Sequence, residues 1–329
     1  MLLTRSASAA LARALGVSTL LLLVTAHGAA AWGCEGHEAI ARLAERLLDA
    51  RTRAAVTALL RSSPIDPALA RYCGRATDPM VDASTWADDV RKERPGTAAW
   101  HFIDVPRRVE AASVDYRQYC PGGGCLVDAI VRQFAVVRSG AAAPARAEAL
   151  RFLIHLVADA HQPLHTTTNG DRGGNCLPVW YYGHAPKEGP FATAHPNLHT
   201  IWDSSAIRGI MRRQHLQTAD ALASFLDDAG HPSAGRTTPT TAVVLGWVIA
   251  SHQVARDVAY GDLPVPVPFE DAPRLRSCEQ NDRVGRRLDA LHEVVAQRYE
   301  ASARPAIEQQ LTAAAIHLAE TLRAAFDAP

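Results

Sequence analysis

Apolar residues recur along most of this chain at the spacing of a helix face, not in the alternation of a strand. In residues 37–49, HEAIARLAERLLD, Ile40, Leu43, Ala44 and Leu47 form one stripe and charges occupy the opposite side. Residues 125–138, 144–161, 217–229, 240–259, 283–300 and 304–326 read the same way. Pro144 near the start and Glu148 in the early turns support the helix at 144–161. The stretch from Gly170 to Pro196 is rich in Gly and Pro around VWYY, and reads as a long irregular loop with room for a short hairpin. LPVPVPF at 263–269 is extended, because each proline biases its predecessor away from helical geometry. Strand signals are otherwise scarce and no internal repeat occurs. The expected fold is mostly α: one multi-helix domain with long irregular loops.

Residues 1–31 depart from this pattern. Arg5 and Arg13 supply positive charge, STLLLLVTA an apolar core, and Ala29 and Ala31 an A-x-A site, together a secretory signal peptide. The apolar run is too short for the roughly twenty residues that span a bilayer, and no second long one follows. Residues 32–329 are then expected as a single secreted or periplasmic domain with no membrane span. Cleavage after Ala31 would give Trp32 a free α-amino group.

Without Arg5 and Arg13, the 34 basic side chains become 32 against 34 acidic ones. This balance excludes a broad phosphate-gripping surface, so a nucleic acid would have to bind at a local site. All six cysteines follow the cleavage point, and an even number in an exported chain reads as disulfides. In CPGGGC, Cys120 and Cys125 close a glycine-rich loop, while the partners of Cys34, Cys73, Cys176 and Cys278 stay open. No C-x2-C pair supports a zinc ribbon.

The chemistry lies in histidine and aspartate. RFLIHLVADAHQPLH places His155 and Asp159 at i and i+4 on one helix face, and Pro163 then ends the helix so that His165 returns from the following turn. NLHTIWD supplies a second such pair, His199 and Asp203. WADD, with Asp88 and Asp89, and WHFID, with His101 and Asp104, set further donors among apolar residues. A buried carboxylate is costly without a cation, and only Arg91 is near these motifs in sequence, so metal ions are the economical source of charge. Imidazole mixed with carboxylate and without thiolate favours zinc.

The ordered motifs WGCEGH, STWADDVR, WHFIDVP, VDYRQYCPGGGC, ALRFLIHLVADAHQPLH, GGN and NLHTIWD resemble those of the secreted zinc-dependent S1/P1 nucleases. The resemblance spans most of residues 32–329, continuing more weakly through GWVIASHQVARDVAY and ETLRAAF. It implies a multi-helix fold shared with the zinc phospholipases C, and three zinc ions. Asp88, His101 and His155 would hold one. Asp159 would bridge it to another held by His37 and by the amino nitrogen and carbonyl oxygen of Trp32, and His165, His199 and Asp203 would hold the third. It further implies hydrolysis of single-stranded DNA and RNA to 5′-phosphates, with 3′-nucleotidase activity as a second reaction. Arg91 would stabilise charge on the phosphoryl oxygens with Asn175 near the phosphate, and Phe102 and Asp104 would take the base. No stable protein partner is expected. A zinc-dependent phospholipase C is the alternative, since those enzymes share the amino-terminal Trp and much of the ligand order; NLHTIWD and GGN favour the nuclease.

Two features depart from the family pattern. The interval from His165 to His199 is longer than in fungal members, which bears on substrate preference. Cys34 lies outside the pattern and is read as a disulfide to Cys73 or Cys278, with a thiolate ligand as the other option. His161 and His195, close to the motifs, are read as supporting or loop residues.

Overall fold

The computed structural model describes residues 32–188, 194–270, 278, 286–288 and 290–326. The expected signal peptide at 1–31 lies outside the described residues. The described residues include these α-helices: α1 (Cys34–Leu47), α2 (Ala50–Ser62), α3 (Pro79–Ser84), α4 (Trp86–Asp89), α5 (Leu126–Arg138), α6 (Ala143–Asp159), α7 (Leu198–Thr200), α8 (Ala206–Arg213), α9 (Ala219–Asp228), α10 (Thr241–Val254) and α11 (Gln297–Phe326). A π-helical turn at Ile201–Ser205 joins α7 to α8, and another at Ala255–Ala259 extends α10. The mostly α expectation holds.

Helix α6 is the centre of this arrangement. Pro144 occupies its first turn, where its missing N–H costs nothing, and every residue from Ala149 to Asp159 is buried. A helix apolar on all sides must be covered on all sides, and α2, α3, α5 and α11 pack around it. His155 and Asp159 are therefore carried on the best-enclosed element of the molecule. Helix α1 buries Ala39, Ile40, Leu43 and Ala44 against α9 and α11, as its stripe predicts.

Three expectations need correction. The helix read at 283–300 is interrupted, because Glu293–Val295 forms strand β4, parallel to β1 (Val179–Tyr181), with Trp180 opposite Val294; residues 283–285 lie outside the described residues. The β-branched pair Val294–Val295 finds a partner more than a hundred residues away, which helical periodicity cannot register. The final helix begins at Gln297 and continues through Pro305 for 30 residues. Burial of Tyr299, Ala303, Ile307 and Leu311 on either side of the proline offsets the cost of about 3 kcal/mol for a proline in a helix interior. Helix α2 goes unread in the pattern above, although Asp49 caps it by accepting from the Thr52 amide at 2.8 Å. The expected hairpin is present as β2 (Lys187–Glu188) antiparallel to β3 (Ala194–His195), which places His195 in that loop.

Disulfides join Cys34 to Cys73, Cys120 to Cys125 and Cys176 to Cys278. Cys34 is thus a tether and not a metal ligand. It fixes the first turn of α1 to the loop before α3, and in chain-entropy terms a bridge across 39 residues stabilises by about 4 kcal/mol.

One buried acid conflicts with this packing. The Glu293 side chain on β4 is fully covered; one oxygen accepts from the Val265 amide at 3.2 Å and the other has no partner. Burial raises its pKa to about 7. The folded chain therefore binds this proton more tightly than the unfolded chain, and stability falls as pH rises from about 4.5 through 7. Glu293→Gln is expected to melt higher than the parent at pH 8, by about 2 kcal/mol of stability, with the gain vanishing by pH 5. Thermal melts across that range would show it, and a pH-independent difference would refute it.

Candidate metal centre

Eight side chains from five parts of the chain meet at the end of α6, and they form three groups within each of which the donor atoms lie within 4.8 Å of one another. The groups are Asp88, His101 and His155; His37, His155 and Asp159; and His165, His199 and Asp203, so that His155 belongs to two. Asp88 comes from α4, and His37 from α1. His165 sits in the 3-10 turn Pro163–His165 that follows α6, His199 lies in α7 and Asp203 in the π-turn that follows it. Every predicted ligand side chain is in this assembly.

The histidines are oriented by backbone carbonyls, which can only accept. His155 Nδ1–H donates to Ser84 O, His165 Nδ1–H to His101 O and His199 Nδ1–H to Gly173 O, each at 2.7 Å. These bonds fix the tautomer and turn the three Nε2 lone pairs inward. His101 presents Nδ1 instead, 3.0 Å from His155 Nε2 and 3.0 Å from Asp159 Oδ2.

The spacings suit a shared cation. Two donors on one tetrahedral zinc at 2.0–2.1 Å are about 3.3 Å apart. His155 Nε2 and Asp159 Oδ2 are separated by 3.2 Å, His199 Nε2 and Asp203 Oδ2 by 3.3 Å, and His37 Nε2 and Asp159 Oδ1 by 3.5 Å. Asp159 Oδ1 and both His37 ring nitrogens are buried and make no hydrogen bond. The donor set therefore fits zinc. The cysteine-containing group Cys120, Cys125 and Asp128 does not, because its sulfurs are consumed by the disulfide.

Electrostatics point the same way. Burial opposes a charge on His155, yet Asp159 and Asp88 outweigh it and raise its pKa to about 9. Burial likewise opposes ionisation of Asp159, but His155, His101 and His37 hold it well below the usual carboxylate range. The third group has no such compensation. Burial, with His165 adding to it, lowers His199 to about 3, so this ring is neutral. Burial pushes the Asp203 carboxyl far up, and Asp88 and Asp159 add to this despite a hydrogen bond from Gln162. An acid in this position ionises only with a cation beside it.

The remaining predicted residues line this centre at different depths. Arg91 Nη1 is 3.1 Å from Asp88 Oδ1 and partly exposed. His101 ends the 3-10 helix Pro95–His101 and the chain runs on without regular structure through 102–105, the Ile103 amide donating to His165 O at 2.8 Å; His101, Ile103 and Val105 are buried, while Phe102 and Asp104 are half-buried. Asn175 Nδ2 donates to Arg172 O at 2.9 Å and so closes its own loop. Asp89, adjacent to Asp88, turns a hundred degrees away on the helix and pairs with buried Arg71. Trp32 is fully buried, its indole donating to Ala158 O at 3.0 Å, and the Gly33 amide donates to Asp203 O at 2.6 Å. Residues 32 and 33 thus touch the two segments that carry Asp159 and Asp203.

His161 does not support the ligands. It is two residues from Asp159, on the other side of the chain, and its Nε2 faces His317 Nδ1 at 2.7 Å beside Trp247. The residues missed by sequence reasoning are Gln162, whose Nε2 donates to Asp203 Oδ1 at 2.6 Å, and Gly173. Gly173 has φ of 63°, and a Cβ there would lie 2.2 Å from Leu164 O, so only glycine can bring its carbonyl to His199. Its place in GGN was the available signal. Gln162→Leu is expected to weaken divalent-metal retention at the His165–His199–Asp203 group by 10–100-fold. Metal content after dialysis would report this, and undiminished content would contradict it.

A family model described as S1/P1 Nuclease matches residues 32–327. The chain is 31% identical to Endonuclease 2 of Arabidopsis thaliana over 58% of its own length and 61% of that protein's. It is 27% identical to Nuclease S1 of Aspergillus oryzae, over 65% of this chain and 67% of the relative, and 28% identical to Nuclease P1 of Penicillium citrinum, over 66% and 72%. The matched segment thus spans about six-tenths of the plant endonuclease.

Proposed function

The chain belongs to the S1/P1 nuclease family, and from that membership we propose that residues 32–329 form one extracytoplasmic, zinc-dependent endonuclease domain. It hydrolyses phosphodiester bonds of single-stranded DNA and RNA to 5′-phosphate products, with 3′-nucleotidase activity as a second reaction. The observation that carries this reading is the contiguity of two donor groups through the shared His155, with the third adjoining them where His165 Nδ1 lies 3.9 Å from Asp159 Oδ1. We assign three zinc ions to them, the one at His37 and Asp159 completed by the amino nitrogen and carbonyl oxygen of Trp32.

Bound zinc supplies Lewis acidity toward a phosphoryl oxygen and lowers the pKa of a water toward neutrality. The protein's own groups supply the rest. Arg91, held by Asp88 and partly open to solvent, presents a guanidinium to the phosphoryl oxygens as charge develops there. Asn175 contributes by closing the loop beside the phosphate. Phe102 offers a face for an unstacked base, and Asp104 accepts from that base's edge, which accounts for a single-strand preference. The leader at 1–31 and the three disulfides support an oxidising, extracytoplasmic location.

Purified protein beginning at Trp32 is expected to degrade single-stranded DNA and RNA, to lose this activity with chelator and to regain it with zinc. Release of phosphocholine from phosphatidylcholine with intact nucleic acid would instead establish the phospholipase C. Arg91→Ala is expected to lower kcat by about 10²–10³-fold with KM little changed; an effect confined to KM would remove Arg91 from the reaction. A form beginning one residue before Trp32 is expected to bind one zinc fewer and to lose most activity. Full zinc content in that form would refute the terminal ligand.

A further inference from the structure

The segment from Asp82 to Asp89 supplies two parts of one donor group. Asp88 is a member of the Asp88–His101–His155 group, and the Ser84 carbonyl accepts from His155 Nδ1–H at 2.7 Å and so aims that ring. Yet the segment consists of the end of α3, a helix of 6 residues, and α4, a helix of 4. Helices this short do not hold their shape through backbone hydrogen bonds alone. Trp86 seats α4 on α6 by packing edge-on against Phe152, with ring centroids 5.1 Å apart. Apolar packing is non-directional, however, and leaves rotation about the axis of α4 to be set by polar contacts.

Those contacts converge on Arg71, in the loop before α3, whose side chain is only 5% exposed. Its Nε pairs with Asp89 on α4. Its Nη1 lies 2.9 Å from Asp82 Oδ1 on α3, and its Nη2 donates to Asp82 O at 2.9 Å and to Thr85 Oγ1 at 3.0 Å, where the two helices join. The guanidinium is planar and rigid, so these anchors fix α3 and α4 relative to each other. Asp89 faces about a hundred degrees away from Asp88, and holding one carboxylate therefore sets the direction of the other. The loop that carries Arg71 is itself tied down: the Tyr72 amide donates to Asp89 Oδ1 at 2.7 Å, and Cys73 is bridged to Cys34 in the first turn of α1, the helix of His37.

We propose that Arg71 is a positioning residue for the Asp88–His101–His155 group. It acts on Asp88 through Asp89, and on the His155 ring through Asp82 and Thr85, which flank the Ser84 carbonyl. This inference rests on the zinc assignment above and not on the reaction. Stability alone does not require such a buried ion pair, since apolar side chains of similar volume replace one at little or no cost. What they cannot supply is a directional hold on α4.

The test titrates zinc into metal-free protein beginning at Trp32 against a chromophoric chelator and records the Tm of the same metal-free samples. Wild type, Arg71→Met, Arg71→Lys and the double variant Arg71→Met/Asp89→Leu are compared. Arg71→Met should melt lower, because it strands the Asp89 charge, whereas the double variant removes both charges and should melt near wild type. The double variant should still bind one zinc about 10–100-fold more weakly, with the other two unchanged. Arg71→Lys should fall between, since one ammonium cannot meet three anchors. Asp88→Asn should weaken the same zinc, and adding the double substitution to it should leave the other two as they were. Full affinity for all three ions in the double variant, an equal loss across the three, or failure of the double variant to fold would each overturn the proposal. A wild type that binds no zinc would instead overturn the metal assignment, and a zinc-loaded wild type that leaves nucleic acid intact would overturn only the nuclease reading.

Discussion

The structure depends on an acid that cannot be left alone. Asp159 has no solvent exposure, and its oxygens face His37, His101 and His155 from three separate segments. An isolated carboxylate at that depth would be prohibitively costly, so the fold surrounds it with imidazoles, of which His155 is oriented by the Ser84 carbonyl. Burial holds His37 and His101 neutral, while Asp159 and Asp88 favour the charged form of His155. Metal binding is thus the counterpart of a charge imbalance built into the core, which makes the centre and the fold a single problem with one solution.

Helix α6 carries that imbalance because it is enclosed on every side. Its length also sets the layout: His155 and Asp159 lie one turn apart on a straight rod, and the proline turn after it reverses the chain to deliver His165. The third group is assembled differently. Gln162, Gly173 and the π-turn at 201–205 each adjust it, and Asp203 lacks the positive partners that Asp159 has. Two ligand groups are thus anchored in helix geometry, and one depends on loop conformation.

The legible parts of the sequence were those where residue type and local spacing carry the information. Histidine and aspartate at i and i+4 in apolar surroundings singled out His155, Asp159, His199 and Asp203 as candidate donors, the family resemblance added the others, and apolar helical periodicity identified α1, α5, α6, α9 and α10. Cys120 and Cys125 were readable because the loop between them is short. The rest required distance or backbone conformation. The pairing of β1 with β4 joins segments more than a hundred residues apart, and Pro305 looks like a helix end until its buried neighbours are known. Gly173 matters through its positive φ, for which its place in GGN is the one local signal.

The burial of α6 has one more consequence, for how the protein wears out. Regions open locally in order of their packing, and edge hairpins and exposed loops open first while enclosed helices open only with the whole molecule. The short β2–β3 ladder and the surface turns can fray repeatedly without disturbing the donors on α6. Displacement of those two donors is then coupled to global unfolding, a rare event, so the geometry they present outlasts repeated opening of the surface.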